Sequence, residues 1–148
     1  MTIFIDADGS PVVNETVTIA AMYQIPCFIV CDTSHEIERP PAQTIVVGDG
    51  PDAVDFALIP LVQRGDLVIT QDYGLASIIL SKKGEALHQD GQFYDPLTID
   101  FLLARRHANA QKRRAGIRTK GPKKRTKKQD KQFIHALTTY CDKVKGNE

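Results

Sequence analysis

Four short runs, "IFID", "CFIV", "TIVV" and "LVIT", are apolar at nearly every position and rich in β-branched residues. A strand with one wet face alternates apolar and polar side chains, whereas a run without alternation is buried on both faces. Parallel sheets with helices on either side meet that condition, and few other architectures do. Each run precedes a longer segment of helical period, with Gly, Pro, Ser or Asp at nearly every junction.

The chain therefore reads as strand and helix in alternation. "TIFID" is the first strand, after which Ser10 and Pro11 supply a cap and first turn for "PVVNETVTIAAMYQ". "PCFIVCD" is the second strand, the proline-rich "HEIERPPAQ" a loop, and "TIVVGDG" the third strand. Pro51 can open the helix "PDAVDFALIPLVQRG", with Pro60 kinking it and Gly65 stopping it. "DLVITQD", the helix "YGLASIILSKKG" and a short last strand in "EALHQDGQFYD" follow. Asp95 and Pro96 start a long helix, "PLTIDFLLARRHANAQKRRAG", and a final helix at about 130–144 sets Phe133, Leu137, Tyr140 and Val144 on one face.

With 148 residues the chain fits one domain, 1–148, long enough to bury a core. No apolar run approaches the ~20 residues of a membrane-spanning helix, and no basic residue precedes Arg39, which disfavours secretory and transit peptides. The expected location is the cytoplasm, with no membrane partner. Cys27 and Cys31 would lie about 13 Å apart along a strand, beyond disulfide reach. Cys141 stands alone, and no group of residues has zinc-site spacing, so all three read as free thiols.

Net charge is +1, but the charges are sorted along the chain. Residues 1–103 carry −11, whereas 104–128 hold twelve basic and no acidic residues. An acidic body with a basic arm suits cation binding in one place and polyanion binding in another.

In open parallel sheets ligands bind outside the carboxyl ends of the strands. Three of those ends carry acids in this chain: Asp6 with Asp8, Asp49, and Asp72. Asp52 and Asp55 share a face of the helix behind Pro51, which brings six carboxylates to one rim. Asp52, Asp72 and Asp95 could each be a helix cap only. Asp6 and Asp8 precede a helix that already has Ser10, and Asp55 sits too deep to cap. Grouped carboxylates repel unless a cation offsets them, and Mg²⁺ favours oxygen ligands.

"IDADGSPV" and "VVGDGPDAVD" also resemble motifs of haloacid-dehalogenase-type phosphatases, in which Asp6 would be the nucleophile and Asp8 the general acid. That family needs a lysine between the two motifs, and none occurs before Lys82.

Taken together, "DADGSPV", "GPDAVDFALIPLVQRGDLVITQDYGLA", "FLLARRH" and "TKGPKKRTKKQDKQF", in this order, resemble the YaiI/YqxD family of bacterial proteins, related to PIN-like nuclease domains. The resemblance spans nearly the whole chain. It implies a PIN-like three-layer α/β fold, with a central, mostly parallel sheet flanked by helices. Active PIN-like members are Mg²⁺- or Mn²⁺-dependent ribonucleases, and Asp6, Asp55 and Asp72 match their carboxylates. Asp8 and Asp52 would be supporting metal ligands, and Thr70 the polar companion of Asp72. The family commonly reads D-A-D-A-C-P-V where this chain has Gly9 and Ser10, so no thiol is needed there.

The implied chemistry is phosphodiester hydrolysis by metal-activated water, without a nucleophilic side chain. No G-x-S-x-G elbow, Walker loop or G-x-G-x-x-G fingerprint competes with it, and the four histidines are dispersed. In the basic arm, Arg105, Arg106, Lys112, Arg113, Arg114, Arg118, Lys120, Lys123, Lys124 and Arg125 are the expected phosphate contacts, with RNA the expected partner. Base stacking finds no support nearby, because Phe133 and Tyr140 have core spacing. The other reading is a noncatalytic nucleic-acid-binding or adaptor domain that keeps the acidic pocket.

Overall fold

The computed structural model describes residues 1–50, 52–118 and 124–146. Five strands form one parallel sheet: β1 (Ile3–Asp6), β2 (Cys27–Asp32), β3 (Gln43–Val47), β4 (Leu67–Ile69) and β5 (Glu85–Leu87). Their order is β3-β2-β1-β4-β5, so the chain builds outward from β1 in one direction and then returns to its other side. A bridge from Leu87 to Phe93 is antiparallel and closes the turn after β5.

Alternate residues of β1, β2 and β4 feed opposite cores, as their non-alternating sequences require, whereas the edge strand β3 is at most half-buried and leaves Val46 exposed, contrary to the double burial expected of "TIVV". Ile3, Ile5, Cys27, Ile29, Leu67 and Ile69 pack with α1 (Val13–Met22) and α5 (Lys127–Gly146). Phe4, Val30 and Val68 pack on the opposite face with Val54 and Leu58 of α2 (Ala53–Leu58) and Leu75 and Ile79 of α3 (Tyr73–Ser81). A third cluster joins Ala76 and Ala86 to Tyr94 and to Ile99 of α4 (Pro96–Arg114). The result is the expected three-layer α/β architecture of a PIN-like fold.

Two helix starts differ from expectation. Helix α1 begins at Val13 with no side-chain cap, because the chain is still turning after β1: Gly9 has φ +67° and the Ser10 N–H donates to Ala7 O at 3.1 Å. Helix α5 begins earlier than residue 130, at Lys127. Thr126 N–H donates to Gln129 Oε1 at 2.8 Å and Gln129 N–H to Thr126 Oγ1 at 3.3 Å, a reciprocal cap carried by "TKKQ". Pro51 lies outside the described residues. Pro60 ends the α-helix rather than kinking it: α2 stops at Leu58 and a single 3-10 turn, Ile59–Leu61, follows, so the helix does not reach Gly65 as expected.

Helix α5 is held in place mainly by its buried face. Phe133, Leu137 and Cys141 are fully buried, and each large apolar side chain so placed contributes about 1.5–3 kcal/mol. At its start, Gly91 lets the turn after β5 approach: a Cβ there would lie 2.6 Å from Gln132 O, and φ is +90°. The three cysteines are free, as expected, and all are buried. Among the described residues, no helix is long and apolar enough to cross a membrane.

Candidate functional site

Strand order places the acids. The direction of chain progression reverses between β1 and β4, and their carboxyl ends flank a crevice of the kind that holds ligands in doubly wound sheets. Strand β1 ends on Asp6; β4 runs through Thr70 and Gln71 into Asp72, the first residue of the turn into α3. Helix α2 crosses the same rim and presents Asp55. A cavity of about 240 Å³ is lined by Asp6, Asp8, Asp32, Asp52, Asp55 and Asp72, with Gln71 beside them.

Five of those six were expected; the sixth exchanges Asp49 for Asp32. Asp49 turns away from the cavity, where its carboxylate accepts from the Thr33 hydroxyl and from Ser34 Oγ at 3.0 Å. The Thr33 bond foremost holds its pKa below the ordinary value. Asp32 is the last residue of β2, next to β1 in the sheet, and its Oδ1 also accepts the N–H groups of Ser34 and His35 at 3.0 and 2.9 Å. The strand-end rule that singled out Asp6 applies equally to the final residue of "PCFIVCD".

The caps sort themselves as well. Asp95 only caps: its Oδ1 accepts from Thr98 N–H at 2.8 Å at the start of α4. Asp52 caps nothing, standing before α2 in a left-handed conformation, φ 63°. Asp72 does both, because its Oδ1 accepts from Gly74 and Leu75 N–H at 2.9 and 3.2 Å while its carboxylate lines the cavity.

Thr70 ties two of the acids together. Its hydroxyl donates to Asp6 Oδ2 at 2.8 Å and accepts the Asp72 N–H at 3.0 Å, in a position only 2% exposed. Asp6 is itself buried, and that burial raises its pKa against the opposing Thr70 bond, with Asp72 and Asp8 adding repulsion. Asp55 is pushed up to about 7. Burial leads, followed by the charges of Asp6 and Asp72 and a hydrogen bond to the Asp72 carboxylate. The cavity thus holds a surplus of negative charge relieved by a proton on Asp55 near neutrality.

No Lys or Arg among the described residues lines the cavity. Lys82, the first lysine available to a phosphatase mechanism, is committed elsewhere: its ammonium donates to Ile59 O, beyond the far end of α3. The donor set is all oxygen, which fits Mg²⁺ or Mn²⁺. Among the described residues no three carboxylate, imidazole or thiol groups converge to cage a metal ion by themselves. What the residues fit is the mode in which Mg²⁺ keeps several waters and is held through one or two carboxylates plus substrate phosphate.

Next to the acids the surface changes sign. A cavity of about 290 Å³ is lined by Tyr73, Leu102, Arg105, Arg106, Asn109 and Arg113, and the Arg106 guanidinium carbon lies 5.9 Å from the Tyr73 ring centroid. Lys112, Arg114, Arg118 and Lys124 are exposed; Lys120 and Lys123 lie outside the described residues. Arg125, expected among the phosphate contacts, is bound within the protein. Its guanidinium donates to Asp90 Oδ1 and Asp130 Oδ1, both at 2.7 Å, and to Gln89 O at 2.8 Å, strapping the start of α5 to the turn after β5. Tyr73, Phe93 and Tyr94, which sequence reasoning did not connect with the arginines, are the aromatics beside this basic face.

Comparison with known proteins agrees with the motif resemblance. Residues 4–143 match the model of the uncharacterized BCR, YaiI/YqxD family. A UPF0178 protein of Exiguobacterium sibiricum is 51% identical over 138 residues, covering 93% of this chain and 94% of that one. A relative from Clostridium acetobutylicum is 44% identical over 139 residues, with 93% and 94% covered. One from Staphylococcus aureus is 38% identical over 146 residues, with 97% and 96% covered. No solved structure matches the chain. With its sequence matched over nearly its full length, the chain belongs to the YaiI/YqxD family of uncharacterised bacterial proteins.

Proposed function

We propose that this protein is a metal-dependent nuclease that hydrolyses phosphodiesters in RNA. The observation that carries the reading is one cavity with six aspartates, no Lys or Arg in its described lining, and Asp55 pushed up to about 7. Such a concentration of like charge is unfavourable in the empty protein and is relieved by a divalent cation.

In this reading Asp6, Asp55 and Asp72 are the candidate ligands, of which one or two would hold the ion directly while water and substrate phosphate complete its shell, with Asp8 and Asp52 in support. Thr70 fixes Asp6 by donating to one of its oxygens, and the α3 cap fixes Asp72, so two carboxylates are held before any ion arrives. Bound Mg²⁺ or Mn²⁺ would supply charge at the phosphoryl oxygens and acidify water. Water oxygen bonds to phosphorus as the ester P–O bond breaks, and the displaced ribose oxygen takes up a proton. Arg105, Arg106 and Arg113 border the cavity next to Tyr73 and are suited to the flanking phosphates.

The test is cleavage of labelled single-stranded and structured RNA with Mg²⁺ or Mn²⁺, beside an Asp6→Asn, Asp72→Asn double variant. Cleavage by the native chain and not by the variant is expected. Equal cleavage by both would identify a contaminant, and binding without cleavage would favour the adaptor reading.

A further inference from the structure

Between the acids and the arginines lies a third cavity, of about 260 Å³, that neither group explains. Gln71 lines both it and the acidic cavity, while Tyr73 and Arg105 line both it and the arginine cavity. Asp72 and Tyr73 are consecutive, so their α-carbons are about 3.8 Å apart. The rest of its wall includes His88, Gln92 and Tyr94.

These walls have a particular chemistry. Tyr94 is buried, donates its hydroxyl to Thr70 O at 3.1 Å and meets the His88 ring edge-on with centroids 6.0 Å apart, so the aromatic wall is fixed. His88 Nδ1 accepts the Asp90 N–H at 3.0 Å, which leaves Nε2 to carry the ring proton as a donor. Burial lowers its pKa, so at neutral pH the imidazole is uncharged and suits a neutral polar ligand better than a phosphate. The amides of Gln71 and Gln92 add both donors and acceptors. Flat aromatic surface, neutral hydrogen-bonding groups and an arginine at one end are the recognition set for a nucleobase whose phosphates continue on either side.

We infer that this cavity is a nucleobase subsite, in which the base of an unpaired nucleotide stacks on Tyr73 while its neighbouring phosphates reach the acidic cavity on one side and Arg105 on the other. The inference rests on the nuclease reading for its substrate but not for its test. A base inside a duplex cannot enter, so the subsite selects single-stranded segments.

The test measures binding alone, in EDTA, by fluorescence anisotropy of a short labelled oligouridine and of the same backbone with abasic ribose at every position. Tyr73→Leu keeps apolar bulk against α4 without an aromatic ring, Tyr73→Phe keeps the ring, and Gln92→Ala alters an exposed wall residue. Wild type is expected to bind oligouridine at least about fivefold more tightly than the abasic chain, the lower range of one base stack. Tyr73→Leu should remove that preference, Tyr73→Phe should retain it, and Gln92→Ala should reduce it. Equal affinity of the wild type for both chains, a preference that survives in Tyr73→Leu, or no binding to either would overturn the subsite. Failure of the nuclease reading shows separately, as absence of metal-dependent cleavage.

Discussion

Asp55→Asn removes the carboxyl that the cavity forces to hold a proton near neutrality, and keeps its shape. In the folded chain that group sits at about 7, against 3.8 as its ordinary value. Well below pH 3.8 both folded and unfolded states are protonated there, and the group adds nothing to the balance. As pH rises to 7 the unfolded chain releases the proton first, so wild-type stability falls across this window and the full penalty is present above it. At about 1.4 kcal/mol for each tenfold change in proton affinity, the rise from 3.8 to about 7 sets a ceiling of about 4 kcal/mol. Asp55 is only half-buried, and solvent screening brings the expectation down to about 1–2 kcal/mol. Urea unfolding in EDTA should therefore find the variant more stable than the wild type at pH 8 and equal to it at pH 3, and thermal melting at pH 8 should raise Tm by about 2–8 °C. Equal stability at pH 8, or the same difference at both pH values, would refute the claim that burial and the neighbouring acids together disfavour an ionised Asp55 in the metal-free protein.

Thr70→Val keeps volume but removes the donor to Asp6 and the acceptor for Asp72 N–H; urea unfolding should show a loss of about 1–3 kcal/mol. Leu137→Ala, in the core beneath α5, should cost about 2–5 kcal/mol by the same measurement. Replacing Arg105, Arg106 and Arg113 together by alanine should weaken RNA binding and lower the salt-dependence slope of log K by about 2, since each phosphate neutralised on a single strand accounts for about 0.7. Arg125→Ala should leave that slope unchanged while lowering Tm, because its guanidinium is bound to Asp90 and Asp130.

The central strands were legible because burial on both faces leaves a direct mark: "IFID" and "LVIT" cannot alternate and still pack between two helical layers, whereas "TIVV", equally apolar, forms an edge strand with Val46 exposed. The acidic rim followed from where parallel strands end, which located Asp6 and Asp72 correctly. Where Asp49 and Arg125 lie was decided by hydrogen bonds between residues distant in the chain, which composition does not encode. Asp49 is drawn off by Thr33 and Ser34, and Arg125 by a carboxylate 35 residues earlier in the chain. Ser10 looked like a cap only because the turn at Gly9 was not anticipated. The reciprocal cap of α5 was readable in "TKKQ", whereas the meeting of Tyr73 with Arg106 depends on α3 packing against α4, a tertiary event no local pattern announces.

The most direct measurement is a calorimetric titration of the metal-free protein with Mn²⁺ at pH 8, beside the Asp6→Asn, Asp72→Asn variant shown by circular dichroism to be folded. Saturable binding by the native chain and none by the variant is the expected result. Native protein that takes up no Mn²⁺, or a variant that binds it equally well, would contradict the account.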